Sequence, residues 1–290
     1  MAPSVGVWRA IARVLRWLPE PLALALARPV AVAAGRRAAV REPLRANLRQ
    51  VLGSREDAPD AVVGRMADRA MASYARYWVE GARLPATSAA EVVERFVVVE
   101  GRHHLEDARE RGHGLIVALP HVGSWEWGGA FLAQIDLPMT AVAEVLEPPE
   151  MFTWFAEERA AMGISVVPLD DHAGTVLLEH LRGGGVVGLL CDRDLQGNGV
   201  EVTFFGQRTT LPAGPATLAL RTGATLLVAA CYSGPGSGHY AVVTPPVVVE
   251  RQGRLRDDVA RVTQAVATEL EGLIRRAPEQ WHVLQPRFAP

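Results

Sequence analysis

The stretch Leu115-Ile-Val-Ala-Leu-Pro-His121-Val-Gly-Ser-Trp-Glu126-Trp-Gly-Gly129 decides how the chain is read. Leu115–Leu119 is an unbroken apolar run of strand length, the pattern of a strand buried on both faces. Pro120 punctuates its end, and His121 follows directly. An aromatic-rich helical pattern carrying Glu126 then begins. A His at the rim of a sheet and the mouth of a helix stands where proton transfer is readily built, because the helix start offers N–H groups to developing negative charge. The spacing restricts the geometry. Five residues on a regular helix separate two side chains by about 140°. His121 and Glu126 therefore meet only if His121 lies in the turn before the helix, which Pro120 favours.

Around this stretch lie 290 residues, 49% of them hydrophobic, enough for a sizeable ordered core. The formal net charge of −2 argues against a nucleic-acid binder. Its distribution is uneven: nine Arg stand against Glu20 and Glu42 in residues 1–50, the bias expected of a segment that meets an anionic surface. The chain contains no Lys, which excludes a Schiff-base lysine. Cys191 and Cys231 sit in apolar runs without metal-ligand spacing and read as buried free thiols.

The first fifty residues read as amphipathic helices for membrane association. Val7, Trp8, Ile11, Val14, Leu15 and Leu18 recur at helical spacing, with Arg9, Arg13 and Arg16 beside them. The run from Leu22 to Ala34 is too short to span a bilayer and is broken by Arg28-Pro29. A helix capping the protein's own core is one competing reading; a signal peptide is another, although Trp and three Arg make a poor apolar core for one. Leu44, Leu48 and Leu52 extend the helical pattern, and Asp60 is placed to cap a further helix through Met66, Met71, Tyr74 and Trp78, side chains suited to core or to an apolar tunnel.

From about residue 91 strands and helices alternate. Strands are expected at Phe96–Val99, Leu115–Leu119, Thr140–Val145, Ile164–Val167, Val186–Leu190, Val200–Phe205, Ala224–Cys231 and Tyr240–Val249. Intervening helices include Pro149–Met162 and His172–Leu181, and helices from Asp257 and from Pro278 close the chain. This order predicts an α/β fold with a largely parallel central sheet flanked by helices. It divides the chain into an N-terminal module, 1–50, and an α/β domain, 51–290.

Two constellations carry chemistry. In the first, Glu126 fixes the tautomer of His121 and supports its imidazolium; a helix-start His satisfied by hydrogen bonds is the plain alternative. No further ligand follows at metal spacing, so no metal site is expected. Ser124 lacks a nucleophile elbow and suits a cap. The second is Cys191-Asp192-Arg193-Asp194, just beyond the strand Val186–Leu190, where open α/β sheets bind ligands. With Glu144 and Arg159 it forms either a polar rim near His121 or a structural ion-pair network. Gly183-Gly-Gly-Val-Val-Gly188 has the spacing of a dinucleotide fingerprint, but its glycines precede a strand instead of following one.

His121-Val-Gly-Ser-Trp-Glu126 resembles the His-x4-Asp/Glu motif of glycerolipid-type acyltransferases. Asp192-Arg-Asp194, Val202-Thr-Phe-Phe-Gly206, Pro212-Ala-Gly-Pro215 and Pro278-Glu-Gln-Trp281 resemble, in order, the blocks of the lipid A late-acyltransferase superfamily. Gly199-Val-Glu-Val202 and the ending Trp281-His-Val-Leu-Gln-Pro286 are most similar to its phosphatidylinositol mannoside acyltransferase branch. The resemblance implies a peripheral enzyme on the cytoplasmic face of the plasma membrane. It would move a long acyl chain, such as palmitoyl, from acyl-CoA as co-substrate to a mannose hydroxyl, with no cofactor. In that scheme His121 is the base and Glu126 its support, with Gly123 and Ser124 N–H groups steadying the oxyanion. Asp192, Arg193, Asp194, Glu201 and Glu144 hold the sugar, and Arg159 binds a phosphate. The rival readings are an acyltransferase for another acceptor, a lipid A precursor or lysophosphatidic acid, and a non-catalytic lipid-binding protein.

Overall fold

The computed structural model describes residues 4–53 and 59–288. Helices α1 (Val5–Trp17), α2 (Glu20–Ala34), α3 (Ala38–Val51) and α4 (Asp60–Arg83) lead the chain. A complete capping box then starts α5 (Ala89–Arg95): Ser88 accepts the Glu91 N–H, and the Glu91 carboxylate accepts the Ser88 N–H. Next come β1 (Phe96–Glu100), α6 (Arg102–Arg111), β2 (Leu115–Leu119), α7 (Trp125–Gln134) and β3 (Met139–Ala143). They are followed by α8 (Pro149–Ala160), β4 (Ser165–Pro168), α9 (Ala173–Arg182) and β5 (Val186–Leu190). The hairpin β6 (Val200–Phe204) and β7 (Gln207–Leu211) precedes α10 (Gly214–Thr222), β8 (Thr225–Ser233), β9 (His239–Val243) and α11 (Leu255–Arg276).

Seven strands form one sheet in the order β1-β9-β8-β2-β5-β3-β4, and every pairing but β8–β9 is parallel. The β6–β7 hairpin stands apart. Strand β2 is buried along its whole length because it feeds both apolar layers. Leu115, Val117 and Leu119 pack with Val92, Leu105, Trp127 and Phe131 on one face. Ile116 and Ala118 pack with Leu177, Leu218, Val266 and Leu270 on the other. That two-residue alternation turns an unbroken apolar run into a central strand. A separate helical cluster joins Leu44 and Leu48 of α3 to Val63, Ala67 and Met71 of α4.

The alternating elements and the parallel sheet agree with the sequence expectation; several details differ. Strand β9 stops at Val243, because the following Pro245-Pro246 offers no backbone donors to a ladder. Asp60 opens α4 without capping it and takes Arg45 and Arg49 across from α3. The expected helix from Pro278 is a single 3-10 turn, Pro278–Gln280, followed by extended chain. The reason lies in its partners: the tail bonds to the loop after β2 instead of to itself. Gln280 C=O accepts the Gly123 N–H at 2.9 Å, and the His282 N–H reaches His121 C=O at 2.7 Å. The Asn47 carboxamide of α3 holds the tail further on, at Val283 C=O, Gln285 C=O and the Arg287 N–H.

A buried polar knot seats α4 on the sheet. The Glu80 carboxylate accepts from Arg76 Nε at 2.6 Å and pairs with His239 Nε2 at 3.0 Å. Arg76 also donates to Gly234 C=O and Gly238 C=O of the β8–β9 turn. Removing one member strands buried charge. Glu80→Ala is therefore expected to cost about 3–5 kcal/mol, read from urea unfolding; a loss below about 1 kcal/mol would contradict this account of the knot.

The tail adds a pH signature. His282 is half-buried and packs between Tyr74 and Tyr77 with Ser73 Oγ 3.0 Å from its Nε2. Burial, and then the nearby His121, push its pKa down to about 3. The unfolded chain takes up a proton near pH 6.5 that the folded chain refuses until about 3. Stability thus falls as pH drops through that window, by up to about 1.4 kcal/mol per unit from this residue. His282→Gln should flatten this acid limb in unfolding titrations between those limits, and an unchanged slope would overturn the assignment.

Candidate active site

Leu119 of β2 pairs in register with Leu190 of β5. His121 and Asp192 each lie two residues further on, so neighbouring parallel strands deliver them at the same level of the sheet's C-terminal edge. They meet there: His121 Nδ1 lies 2.5 Å from Asp192 Oδ1. The other carboxylate oxygen accepts the His121 backbone N–H at 2.9 Å and the Trp281 indole N–H at 2.7 Å. Asp192 is fully buried. Burial opposes its ionisation, but the charge and hydrogen bonds of His121 and the Trp281 donor outweigh it and hold the carboxyl below the usual range. An ionised Asp192 can only accept, so in the neutral imidazole the proton lies on Nδ1 and Nε2 is the free position. The His121 side chain is 25% exposed and lines a cleft of about 810 Å³. A carboxylate-oriented imidazole open to a cleft on its other nitrogen is equipped to remove a proton.

The partner of the His121 ring is thus Asp192, not Glu126. The physical reason is direction: His121 precedes α7, and its ring turns toward the end of β5. Glu126, in the first turn of α7, is 5% exposed. Its Oε1 accepts from Tyr77 Oη at 3.0 Å and Arg159 Nη2 at 3.2 Å. Arg159 is sandwiched against Trp125 and Phe155, so its charge faces Glu126 and aromatic rings in place of a free phosphate site. Burial first, and then the Glu126 charge, raise the Tyr77 pKa well above normal and keep it a phenol donor.

Other roles expected from the sequence shift once backbone partners are counted. The Gly123 N–H goes to Gln280 C=O, and the Ser124 N–H goes to Cys231 C=O at 3.0 Å. Neither is available as an oxyanion donor. Gly123 sits at φ +56°, and a Cβ there would collide with the Cys231 carbonyl, so glycine is needed for this close approach to β8. Ser124 Oγ is buried, which removes it from nucleophilic reach. Asp192 is occupied by His121 and Trp281 and does not line the cleft, so it is not a sugar ligand. Glu201 faces solvent on β6, where alternation buries Val202 and Phe204 instead, and it pairs with Arg208 outside the cleft.

Glu144, Arg193 and Asp194 do line the cleft. Asp194 also organises its own loop, accepting from Thr210 Oγ1 at 2.7 Å and from the Gly197 and Gly199 N–H groups at 2.9 Å. Asp170, Asp171 and Arg221 add charge to the rim, and no sequence motif singles them out. Among the described residues no three His, Cys, Asp or Glu side chains gather as metal ligands would. A second cavity of about 220 Å³ runs between α1, α4 and α8 with an aromatic and aliphatic lining. Tyr77, Leu146 and Arg159 border both cavities, so the apolar channel meets the polar cleft beside the Glu126 cluster.

Comparison with known proteins places this geometry in a lineage. The model of the bacterial lipid A biosynthesis acyltransferases matches residues 4–289. The chain is 38% identical over 279 residues to the phosphatidylinositol mannoside acyltransferase of Mycolicibacterium smegmatis, covering 95% of this chain and 88% of that one. It is 39% identical over 246 residues to the phosphatidylinositol mannoside acyltransferase of Mycobacterium tuberculosis, covering 83% and 75% respectively. A more distant relative, the lipid A biosynthesis acyltransferase of Haemophilus influenzae, is 25% identical over 183 residues, covering 62% and 55%. A match across nearly the whole chain makes the assignment plain: this protein belongs to the bacterial lipid A biosynthesis acyltransferase family and is an acyltransferase.

Proposed function

We propose that this acyltransferase moves a long acyl chain, palmitoyl or near it, from acyl-CoA to a mannose hydroxyl of a phosphatidylinositol mannoside. The observation that carries the reading is the meeting of a charged cleft and an apolar channel close to one oriented imidazole. A sugar headgroup suits the first cavity and an alkyl chain the second. The choice of acceptor follows the names of the two mycobacterial relatives.

In this mechanism His121 Nε2 takes the proton of the mannose hydroxyl as its oxygen attacks the thioester carbonyl. Asp192 stabilises the imidazolium that forms. The tetrahedral intermediate collapses, the C–S bond breaks, and the proton on Nε2 passes to the departing thiolate. The products are the ester and free CoA, with no acyl-enzyme. The start of α7, where Ser124 makes no side-chain cap, supplies the positive end of a helix for the oxyanion. Glu126 and Arg159 act one step back, fixing Tyr77 and Trp125 around the reacting centre. Glu144, Arg193 and Asp194 are the rim groups assigned to the acceptor.

The enzyme would reach its acceptor lipid as a peripheral protein on the cytoplasmic face of the plasma membrane. None of the described helices is long and apolar enough to cross a bilayer. Val14, Trp17, Leu26 and Val30 are exposed on α1 and α2, Trp17 by 84%, close in sequence to exposed Arg13 and Arg28. Apolar side chains among cations suit an anionic lipid surface.

His121→Ala is expected to abolish thiol release from palmitoyl-CoA in the presence of phosphatidylinositol mannosides while leaving the thermal midpoint in place; retained turnover would sink the assignment. Asp192→Asn should lower kcat by about 10²–10⁴. Equal activity with lysophosphatidic acid would replace the mannoside acceptor by a broader one. The combined change Val14→Asp, Leu26→Asp and Val30→Asp should release the protein from phosphatidylinositol-rich vesicles in co-sedimentation, and unchanged binding would remove the membrane surface from the proposal.

A further inference from the structure

Helix α4 contains a glycine that its backbone does not require. Gly81 has no positive φ, and a Cβ built on it meets nothing within 4 Å. It is not a helix-ending glycine either, because helical backbone continues beyond it through the 3-10 turn Leu84–Ala86. A glycine at such a site weakens a helix relative to alanine without any compensating contact. The space that it leaves open has a definite identity. Gly81 lines the apolar channel, one helical turn beyond Tyr77, which stands at the junction with the cleft. That turn amounts to about 6 Å along the helix. Across the channel stand Ile11 and Leu15 of α1 and Trp154 and Phe155 of α8. Trp8 and Trp78, stacked at 5.3 Å, form a rigid part of the same wall.

We propose that the missing side chain at Gly81 sets the length of acyl chain that the enzyme accepts, by keeping the channel open beyond its first turn. The inference rests on the acyltransferase reading for the identity of the occupant. An alkyl chain entering beside Tyr77 meets Trp78 and Phe155 near the entrance, and Gly81 stands one turn further along the same helix. Any side chain at this position projects into the path with no clash of its own to prevent it. Apart from Glu158, which pairs with Arg16, the remaining lining is apolar, so a methylene that passes gains apolar contacts. The rim pair Glu126–Arg159 stays at the entrance, where a thioester and not a hydrocarbon has to sit.

The test is calorimetric binding of a saturated acyl-CoA series, octanoyl to palmitoyl, to the intact protein and to Gly81→Leu. Wild-type affinity is expected to rise by about 4-fold per added methylene while the chain fills the channel. In Gly81→Leu the rise should stop several carbons earlier, with palmitoyl-CoA weakened by at least about 10-fold and octanoyl-CoA within about 2-fold. Gly81→Ala, which helix propensity favours, carries the same sign in smaller measure and serves if the leucine variant does not fold. Superimposable chain-length profiles for wild type and folded variant would overturn the proposal, as would wild-type affinity independent of chain length. Normal chain-length-dependent binding without transfer to a mannoside would instead defeat the acceptor assignment and leave the channel role of Gly81 standing.

Discussion

The Asp192 carboxylate is the point on which the site depends. This fully buried carboxylate has both oxygens answered, which offsets the cost of burying its charge. Three donors from two distant segments answer this one: the His121 ring, the His121 backbone and the Trp281 indole. The arrangement is reciprocal. The donors hold Asp192 ionised, and the ionised carboxylate fixes which imidazole nitrogen carries a proton. Strand register supplies the coarse alignment, because β2 and β5 end together. The C-terminal tail supplies the rest, taking the His121 carbonyl and the Gly123 N–H with its own backbone. The C-terminal tail is therefore part of the structure of the loop after β2, and this explains why it runs extended there instead of forming a helix.

A second buried acid does a different job nearby. Glu126 ties together α4 through Tyr77, α7 through its own backbone and α8 through Arg159. These three helices meet where the cleft becomes a channel. The two buried carboxylates thus hold different elements. Asp192 orients the His121 ring, whereas Glu126 joins the helices that wall the cleft and the channel.

The fold is legible wherever a single element declares itself. Leu115–Leu119 reads as a buried strand because both layers of the core need it, and the alternation after residue 91 gives the parallel sheet. Position along the strand also marks His121 as a rim residue. Its partner is not legible from spacing. Asp192 lies 71 residues away and becomes a neighbour only through strand order, which local periodicity does not encode. Glu126, five residues on, is the nearer acid in sequence and faces another way. Gly123 and Ser124 show the same limit for backbone groups: their N–H bonds go to Gln280 and Cys231, and no local spacing pairs those positions with them. The tail block Pro278–Trp281 stands out by resemblance, but its role in holding Asp192 is visible only with the indole in place.

Helix α1 links these levels. Its outward side carries Val14 and Trp17 in the open, while Ala12 and Leu15 turn inward and border the channel. Ile11 does both, being exposed and part of the channel lining. A helix in that position is wall and surface at once, so the same amphipathic pattern that suits a lipid interface also completes an apolar cavity. The two explanations that compete for such a segment in sequence, interfacial docking and internal packing, are not exclusive here. Arg16 and Arg83 enforce the geometry: Arg16 reaches Ala82 C=O on α4 and Glu158 on α8, and Arg83 of α4 donates to Leu18 C=O just past α1. Helix α1 is thereby pinned to both other walls.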